Sequence, residues 1–141
     1  MNEEKFAGAE EWLRESLLAQ ELLKQSRMND KTLKALLFYR SGESTFEEMA
    51  KKLQIQQPGA FKRWKRGMDS IYRSFYTLEL AVYAGIMDAK VAQFLADDLT
   101  DYSNLARGVG DMEALRDRIE RRMVQITRAL QKGRRPTKAR P

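Results

Sequence analysis

The sequence predicts an all-α protein. Apolar residues recur at spacings of three and four through most of the chain, which is the period of an amphipathic helix. Capping residues and glycines divide this pattern into separate segments. Between residues 71 and 84, where a β-hairpin is the competing prediction, no Asn-Gly, Asp-Gly or Pro turn occurs. These observations favour helices throughout the chain.

Residues 1–28 are predicted to form an N-terminal helical arm, with one helix from Glu3 to Met28. Its apolar stripe drifts around the helix and its charged residues are mainly acidic, so DNA contact is not expected here. Core packing and a dimerisation arm both fit the pattern. The acidic N-terminus lacks the features of a signal peptide, so a cytoplasmic protein is expected.

A second helix is predicted from Asp30, as its cap, to Arg40, with Ser41-Gly42 ending it. Its inward side is expected to carry Leu33, Leu36, Leu37 and Tyr39.

The stretch TFEEMAKKLQIQQPGAFKRWKR, residues 45–66, predicts a short helix, a tight turn and a second helix. Apolar residues of the short helix follow the helical period: Phe46, Met49, Ala50 and Leu53. Ser44 or Thr45 can cap it, and each has a Glu three residues later, which is the capping-box spacing. Pro58 fits the first position of the second helix, with Gln57 as its cap.

The second helix separates apolar residues from cations. Ala60, Phe61, Trp64, Met68 and Ile71 fall roughly on one side, and the cations fall mostly elsewhere. We expect Phe61 and Trp64 to anchor the core rather than to intercalate between bases. A helix that buries aromatic residues and presents cations is suited to the DNA major groove, which admits one helix.

Residues 44–67 resemble the DNA-binding segment of the helix-turn-helix transcription regulators, most closely the MarR or ArsR type. Ala50, Leu53 and Ile55 stand where that family has its small contact residue, its first-helix anchor and its turn hydrophobe. The QQPGA run stands at the start of the recognition helix, and Gln54 stands where a Gly is common. The resemblance implies a trihelical helix-turn-helix core, with additional N-terminal and C-terminal helices in this chain.

The candidate DNA-binding residues follow from this arrangement. Gln and Arg can read adenine and guanine by paired hydrogen bonds, whereas Lys and Thr can hold phosphates. The candidates are Thr45, Lys51, Lys52, Gln56, Gln57, Lys62, Arg63, Lys65, Arg66 and Arg73. The DNA-binding unit is predicted to span residues 29–70, with a kink or break at Gly67–Ser70.

Residues 71–132 are predicted to be a helical core or dimerisation region. Two apolar stripes between residues 71 and 86 predict a buried helix, which gives a helix-turn-helix without a wing. Gly85 is expected to end it, and Asp88 to cap a helix whose acidic residues, Asp97, Asp98 and Asp101, form a solvated face. Beyond a hinge at residues 108–110, Asp111 caps a last helix.

The last helix has a narrow apolar seam, which suits pairing with a second chain or packing within one chain. The seam runs through Met112, Leu115, Ile119, Met123, Ile126 and Leu130. Gly133 is expected to end this helix, so that residues 133–141 form a disordered basic tail.

Composition limits the possible functions. The net charge is +6, but five of the 26 Lys and Arg residues lie between positions 132 and 140, and the other 21 nearly balance the 20 acids. Charge confined to patches suits a nucleic-acid footprint. The chain has neither Cys nor His, and no phosphate-binding loop, so no enzyme activity, metal or cofactor is expected. It has no apolar run long enough to span a membrane.

These inferences together predict a homodimeric transcription regulator that binds double-stranded DNA, associated with the nucleoid in the cytoplasm and paired through its terminal helices. Two alternatives remain open. One is a helical protein-interaction module that does not bind DNA, and the other is a DNA packaging or replication factor similar to a phage terminase small subunit.

Overall fold

The structure is a computed structural model. It describes the backbone of residues 2–40 and 45–134 and the side chains of residues 8–40 and 45–131. This part of the chain is all helical and contains no strand, which confirms the predicted all-α fold. Its helices are α1 (Asn2–Glu15), α2 (Leu17–Gln25), α3 (Asp30–Arg40), α4 (Phe46–Leu53), α5 (Gln57–Tyr83), α6 (Ala89–Arg107) and α7 (Met112–Arg134). The chain forms two compact units, Met1–Tyr76 and Thr77–Pro141.

The N-terminal arm is two helices rather than the single one that we predicted. Ser16 has an extended backbone and caps α2, because its Oγ accepts the N–H of Ala19 at 3.1 Å. Gln20 Nε2 donates to the carbonyls of Leu13 and Arg14, each at 2.8 Å, and so satisfies two carbonyls at the end of α1. The drift of the apolar stripe in the sequence marks this change of helix.

The first unit is built around α3, α4 and the beginning of α5. Its core combines a large aromatic residue with small residues that let the helices approach closely: Ala35, Phe38, Met49, Ala50, Leu53 and Ala60. The sequence placed the inward side of α3 about one residue away from the true one. Asn29, not Asp30, caps α3, since Asn29 Oδ1 accepts the N–H of Thr32 at 2.9 Å. The buried side of α3 is formed by Thr32, Ala35 and Phe38, which pack in the first unit.

The predicted break at Gly67–Ser70 is wrong, because α5 continues through it as one helix. Gly67 is buried, and a Cβ at this position would lie 2.8 Å from Leu36 Cδ1 and 3.0 Å from Thr32 Cγ2. Carbon atoms normally stay about 3.5–4.0 Å apart. Gly67 is therefore explained by the close approach of α3 to α5 rather than by a turn.

The prediction that the helix after residue 70 is buried is also wrong for most of its apolar residues. Large side chains on this part of α5 are exposed in the chain: Ile71, Tyr72, Phe75, Tyr76, Leu80, Val82 and Tyr83. The helix ends as predicted, with Gly85 in a left-handed conformation at φ 77°. The spacing of the apolar residues thus predicts the helix correctly, but it does not predict how exposed their side chains are.

In the second unit, α6 packs against α7. Asp88 Oδ1 accepts the N–H of Val91 at 2.9 Å and caps α6, and Asp111 Oδ1 accepts the N–H of Ala114 at 3.2 Å near the start of α7. Both caps agree with the sequence. Leu115 and Ile119 of the α7 seam are buried, so this part of the seam is used inside the unit.

The predicted solvated acidic face of α6 is wrong for two of its three residues. Asp98 and Asp101 are buried, with Asp98 only 3% exposed. Arg122 Nε lies 2.8 Å from Asp98 Oδ1, and Arg122 also contacts Asp101. Arg118 Nη2 lies 3.2 Å from Asp101 Oδ1. The pairs fix the register of the α6–α7 hairpin, because a buried carboxylate requires a nearby cation.

Burial also shifts two acid–base equilibria in this hairpin. Desolvation raises the pKa of Asp98 despite the opposing attraction of Arg122. Desolvation, reinforced by the negative charge of Asp98, raises the pKa of the Tyr102 phenol.

Several predictions lie outside the described residues, namely the cap at Ser44, the end of the second predicted helix at Ser41-Gly42, and the basic tail beyond Arg134. The described helix α7 extends to Arg134, one residue past the predicted end at Gly133. In the described part of the chain, no helix is both long enough and apolar enough to cross a membrane.

Candidate nucleic-acid interface

The short helix α4 is fixed at its start by a reciprocal capping box. The backbone N–H of Glu48 donates to Thr45 Oγ1 at 3.1 Å, and the backbone N–H of Thr45 donates to Glu48 Oε1 at 3.2 Å. The Thr45 hydroxyl also lies 3.2 Å from Glu48 Oε1. Thr45 therefore stands exposed at the predicted site, but its side chain already has a structural role.

The turn between α4 and α5 relies on a residue in the left-handed region. Gln54 has φ 59° and ψ 45°, and its backbone N–H donates to the carbonyls of α4. The N–H of Ile55 donates to the Ala50 carbonyl at 2.9 Å, and the Ile55 side chain packs against the core. The turn thus has the conformation that Gly commonly provides, although a side chain is present.

Helix α5 begins directly after this turn, with Gln57 as its first helical residue. Pro58 is therefore the second residue of the helix rather than the first, and the Gln56 carbonyl accepts the N–H of Ala60 at 3.1 Å. Gln56 and Gln57 are exposed, as expected of residues that could read bases. Ala60 is fully buried and holds the start of α5 against the core.

Three of the predicted cations form an exposed group on α5, and we call Lys62, Lys65 and Arg66 the α5 cations. They are separated by three and four residues, so they lie close together on the helix surface. No carboxylate among the described residues forms an ion pair with any of them. Their positive charge is consequently available to a negatively charged ligand.

Arg63 is placed differently from the α5 cations. It is partly buried, and its Nη1 donates to Asn29 Oδ1 at 3.3 Å, the same oxygen that caps α3. This hydrogen bond ties α5 to the start of α3. Arg63 therefore helps to position the helix, a role that the sequence did not reveal because Asn29 lies 34 residues earlier.

Three further predicted cations have acidic neighbours. Lys51 Nζ lies 3.9 Å from Glu47 Oε1, and Arg73 Nε lies 2.8 Å from Asp69 Oδ2, both as exposed pairs one helical turn apart. Such pairs are weak, so a phosphate can displace the carboxylate.

Lys52 has the more structural of these pairs, because its partner belongs to another helix. Lys52 Nζ lies 3.3 Å from Glu10 Oε1. That carboxylate oxygen is buried and makes no hydrogen bond to any other described group. The pair therefore joins α4 to α1, and Lys52 is less available to DNA than Lys51.

Four aromatic rings form a cluster beside the core, contributed by α3, α4 and α5. The Tyr39 ring stacks on Phe46 with centroids 5.2 Å apart, and it lies 4.9 Å from Trp64. Phe61 meets Phe46 edge-on at 5.2 Å. Trp64 is half-buried, whereas Phe61 is 43% exposed, so the prediction that both anchor the core is only partly right.

An open groove of about 530 Å³ runs along α5 next to this cluster. The α5 cations line it together with Trp64, Met68, Asp69 and Tyr72. The groove combines positive charge, which attracts phosphates, with apolar and aromatic surface, which can pack against bases.

Among the described side chains, no group of three acidic residues is arranged to hold a metal ion. Comparison of the chain with protein-family models, with curated proteins and with solved structures gave no match. The function must therefore be argued from the residues and their geometry.

Proposed function

We propose that this protein binds double-stranded DNA through its helix-turn-helix and acts as a homodimeric transcription regulator. The beginning of α5 enters the major groove in this proposal. The observation that carries it is the exposure of the three α5 cations, which have no ion-pair partner among the described residues, on a helix whose opposite side is fixed by buried Ala60 and Gly67. The proposal implies a cytoplasmic protein associated with the nucleoid.

The residues have different roles in the proposed complex. The α5 cations supply the main attraction to phosphates and to guanine edges, and Gln56 and Gln57 are placed to read adenine. Thr45 at the start of α4 and Lys51 near its end contact phosphates, and such contacts fix the register of the protein on the duplex. Arg63 keeps α5 in position through Asn29.

The test is DNA binding of a variant in which all three α5 cations are replaced by alanine. Because each phosphate contact contributes roughly 0.9 to the slope of log K against log salt, the slope should fall by up to about 2.7. Fluorescence anisotropy with labelled duplex DNA, measured from low to physiological salt, gives both the affinity and the slope. Selection from a random duplex library then shows whether sequence is read.

The matched control removes three exposed cations of α7, Arg116, Arg121 and Arg128, which gives the same change in net charge. This variant should keep most of the affinity and slope. Equal losses in the two variants would indicate general charge attraction and would contradict the proposed groove contact. Wild-type protein with no salt-dependent affinity for duplex DNA would contradict DNA binding altogether.

A further inference from the structure

The most exposed ring of the aromatic cluster belongs to the first turns of α5. Phe61 is 43% exposed, whereas its neighbours Phe46 and Trp64 are half-buried. The Phe61 ring meets Phe46 edge-on with the ring centroids 5.2 Å apart, and its centroid lies 6.1 Å from that of Trp64. Two aromatic neighbours in the first unit therefore hold the ring in place and leave part of its surface open.

Phe61 stands in a row with two polar residues on the same helix. Gln57, Phe61 and Lys65 follow one another at intervals of four residues, so they lie on one side of α5, and all three are exposed. At a rise of about 1.5 Å per residue, Gln57 and Phe61 are about 6 Å apart along the helix axis. This distance is close to two base-pair steps of about 3.4 Å each. A duplex that meets both Gln57 and Lys65 therefore also meets the ring between them.

The chemistry of the Phe61 ring limits what it can contact in the major groove. The ring has no hydrogen-bonding group, so it cannot replace the hydrogen bonds that a polar base edge would lose with water. The base edges in the major groove carry a single kind of methyl group, the C5-methyl of thymine. Packing this methyl against the ring removes apolar surface of both partners from water, which is favourable. Because the ring is already held in place, it loses little conformational freedom in the contact.

We infer that Phe61 packs against the C5-methyl group of a thymine and so selects thymine within about two base pairs of the adenine that Gln57 reads. The inference rests on the proposed function, because it requires the beginning of α5 to lie in the major groove. It adds one base to the recognised sequence and names the residue that selects it. Phe61 is then a specificity residue and not only an anchor of the aromatic cluster.

The test uses DNA that differs by one methyl group. The best-binding duplex from the random-library selection is synthesised with deoxyuridine in place of thymidine, one position at a time. Each replacement removes the methyl group and leaves the hydrogen-bonding groups of the base unchanged. Fluorescence anisotropy at fixed salt should show that wild type loses about fourfold in affinity at the thymine that faces Phe61, which is the factor expected for burial of one methyl group.

Two variants separate reading of the base from general affinity. Phe61→Ala should bind the thymine and uracil forms of the duplex equally, because no ring remains to contact the methyl group. Lys62→Ala is the matched control on the next residue. It should bind both forms more weakly and keep the ratio of about fourfold, since a phosphate contact does not sense the base. A purely structural role of Phe61 would lower both affinities and leave the wild-type ratio unchanged.

A photochemical measurement on wild type does not depend on the folding of a variant. In 5-iododeoxyuridine the iodine atom takes the place of the thymine methyl group, and irradiation links this base to an aromatic side chain in contact with it. The selected duplex is synthesised with this nucleoside at the position that deoxyuridine identifies. Mass spectrometry of the digested complex should place the link at Phe61. Circular dichroism of both variants shows whether their helices are retained.

The outcomes distinguish this inference from the proposed function. Salt-dependent binding of duplex DNA with no preferred sequence, or with no thymine at which uracil weakens binding, would overturn the inference and leave DNA binding in place. So would a Phe61→Ala variant that keeps the wild-type ratio, a Lys62→Ala variant that loses it, or a link to a residue other than Phe61. Absence of salt-dependent binding to any duplex would overturn the proposed function and the inference with it.

Discussion

Replacing Gly67 by alanine tests whether the close approach of α3 and α5 holds the proposed recognition helix. The added Cβ would lie 2.8 Å from Leu36 Cδ1 and 3.0 Å from both Leu36 Cγ and Thr32 Cγ2. Since carbon contacts are normally about 3.5–4.0 Å, the neighbours must retreat by roughly 0.5–1 Å. Gly67→Ala therefore tests packing between two helices rather than the flexibility of one.

The expected effect is the difference of two opposing contributions. Overpacking a core costs about 1–3 kcal/mol. Alanine in a helix interior is about 1 kcal/mol more favourable than glycine. We expect Gly67→Ala to reduce the free energy of unfolding of the first unit by about 1 kcal/mol, as the balance of these contributions.

A second background makes the sign of the effect diagnostic. Leu36→Ala removes the closest of the side-chain atoms that the new Cβ would strike and leaves only the contact with Thr32 Cγ2 at 3.0 Å. In that background Gly67→Ala should be neutral or stabilising by up to about 1 kcal/mol, because helix propensity then dominates. The coupling between the two positions should therefore be roughly 1–2 kcal/mol, within the range seen for residues in contact.

Tryptophan fluorescence during urea unfolding is a suitable assay, because the chain has two Trp residues and both lie within Met1–Tyr76. Gly59→Ala is the matched control on the same helix. Its added Cβ would lie 3.7 Å from Ile55 Cδ1, an ordinary contact, so this change should stabilise the unit. The reasoning fails if Gly67→Ala stabilises as Gly59→Ala does, or if Leu36→Ala leaves its effect unchanged.

Two further predictions concern the turn and the buried ion pairs. Gln54→Gly should stabilise the first unit by roughly 0.5–1 kcal/mol in urea unfolding. The reason is that relief of about 1–2 kcal/mol of strain in the left-handed backbone exceeds the cost of the added entropy of the unfolded chain. Gln54→Ala is the control and should show no gain, because alanine keeps a Cβ in the left-handed conformation. The pKa of Asp98 is raised in the folded state, so folding favours the protonated form of this carboxyl. This contribution to the free energy of unfolding is complete below the unfolded pKa near 3.8 and is lost as pH rises through the folded pKa. Asp98→Asn should therefore gain stability relative to wild type as pH rises above about 4 in thermal unfolding followed by circular dichroism, whereas Asp117→Asn at an exposed position of α7 should not. A wild-type–variant difference that is constant with pH would contradict the assignment.

The features that the sequence predicted correctly depend on residues close together in the chain. Thr45 and Glu48 are three residues apart, so the capping box could be identified from their spacing. The same applies to Asp88, which caps the helix that begins one residue later. The exposure of the α5 cations also follows from the helical period once Ala60 is assigned to the buried side.

Features that depend on residues far apart in the chain follow only from the way the helices pack. Glycine is a poor helix former, so the sequence predicts a break at Gly67, but the close approach of Leu36 on another helix explains the glycine. The sequence predicts that Asp98 and Asp101 are solvated, because nothing in their own helix shows that Arg118 and Arg122 of the next helix pair with them. Helical period alone cannot say which face meets a neighbour, because burial depends on where the other helices pack.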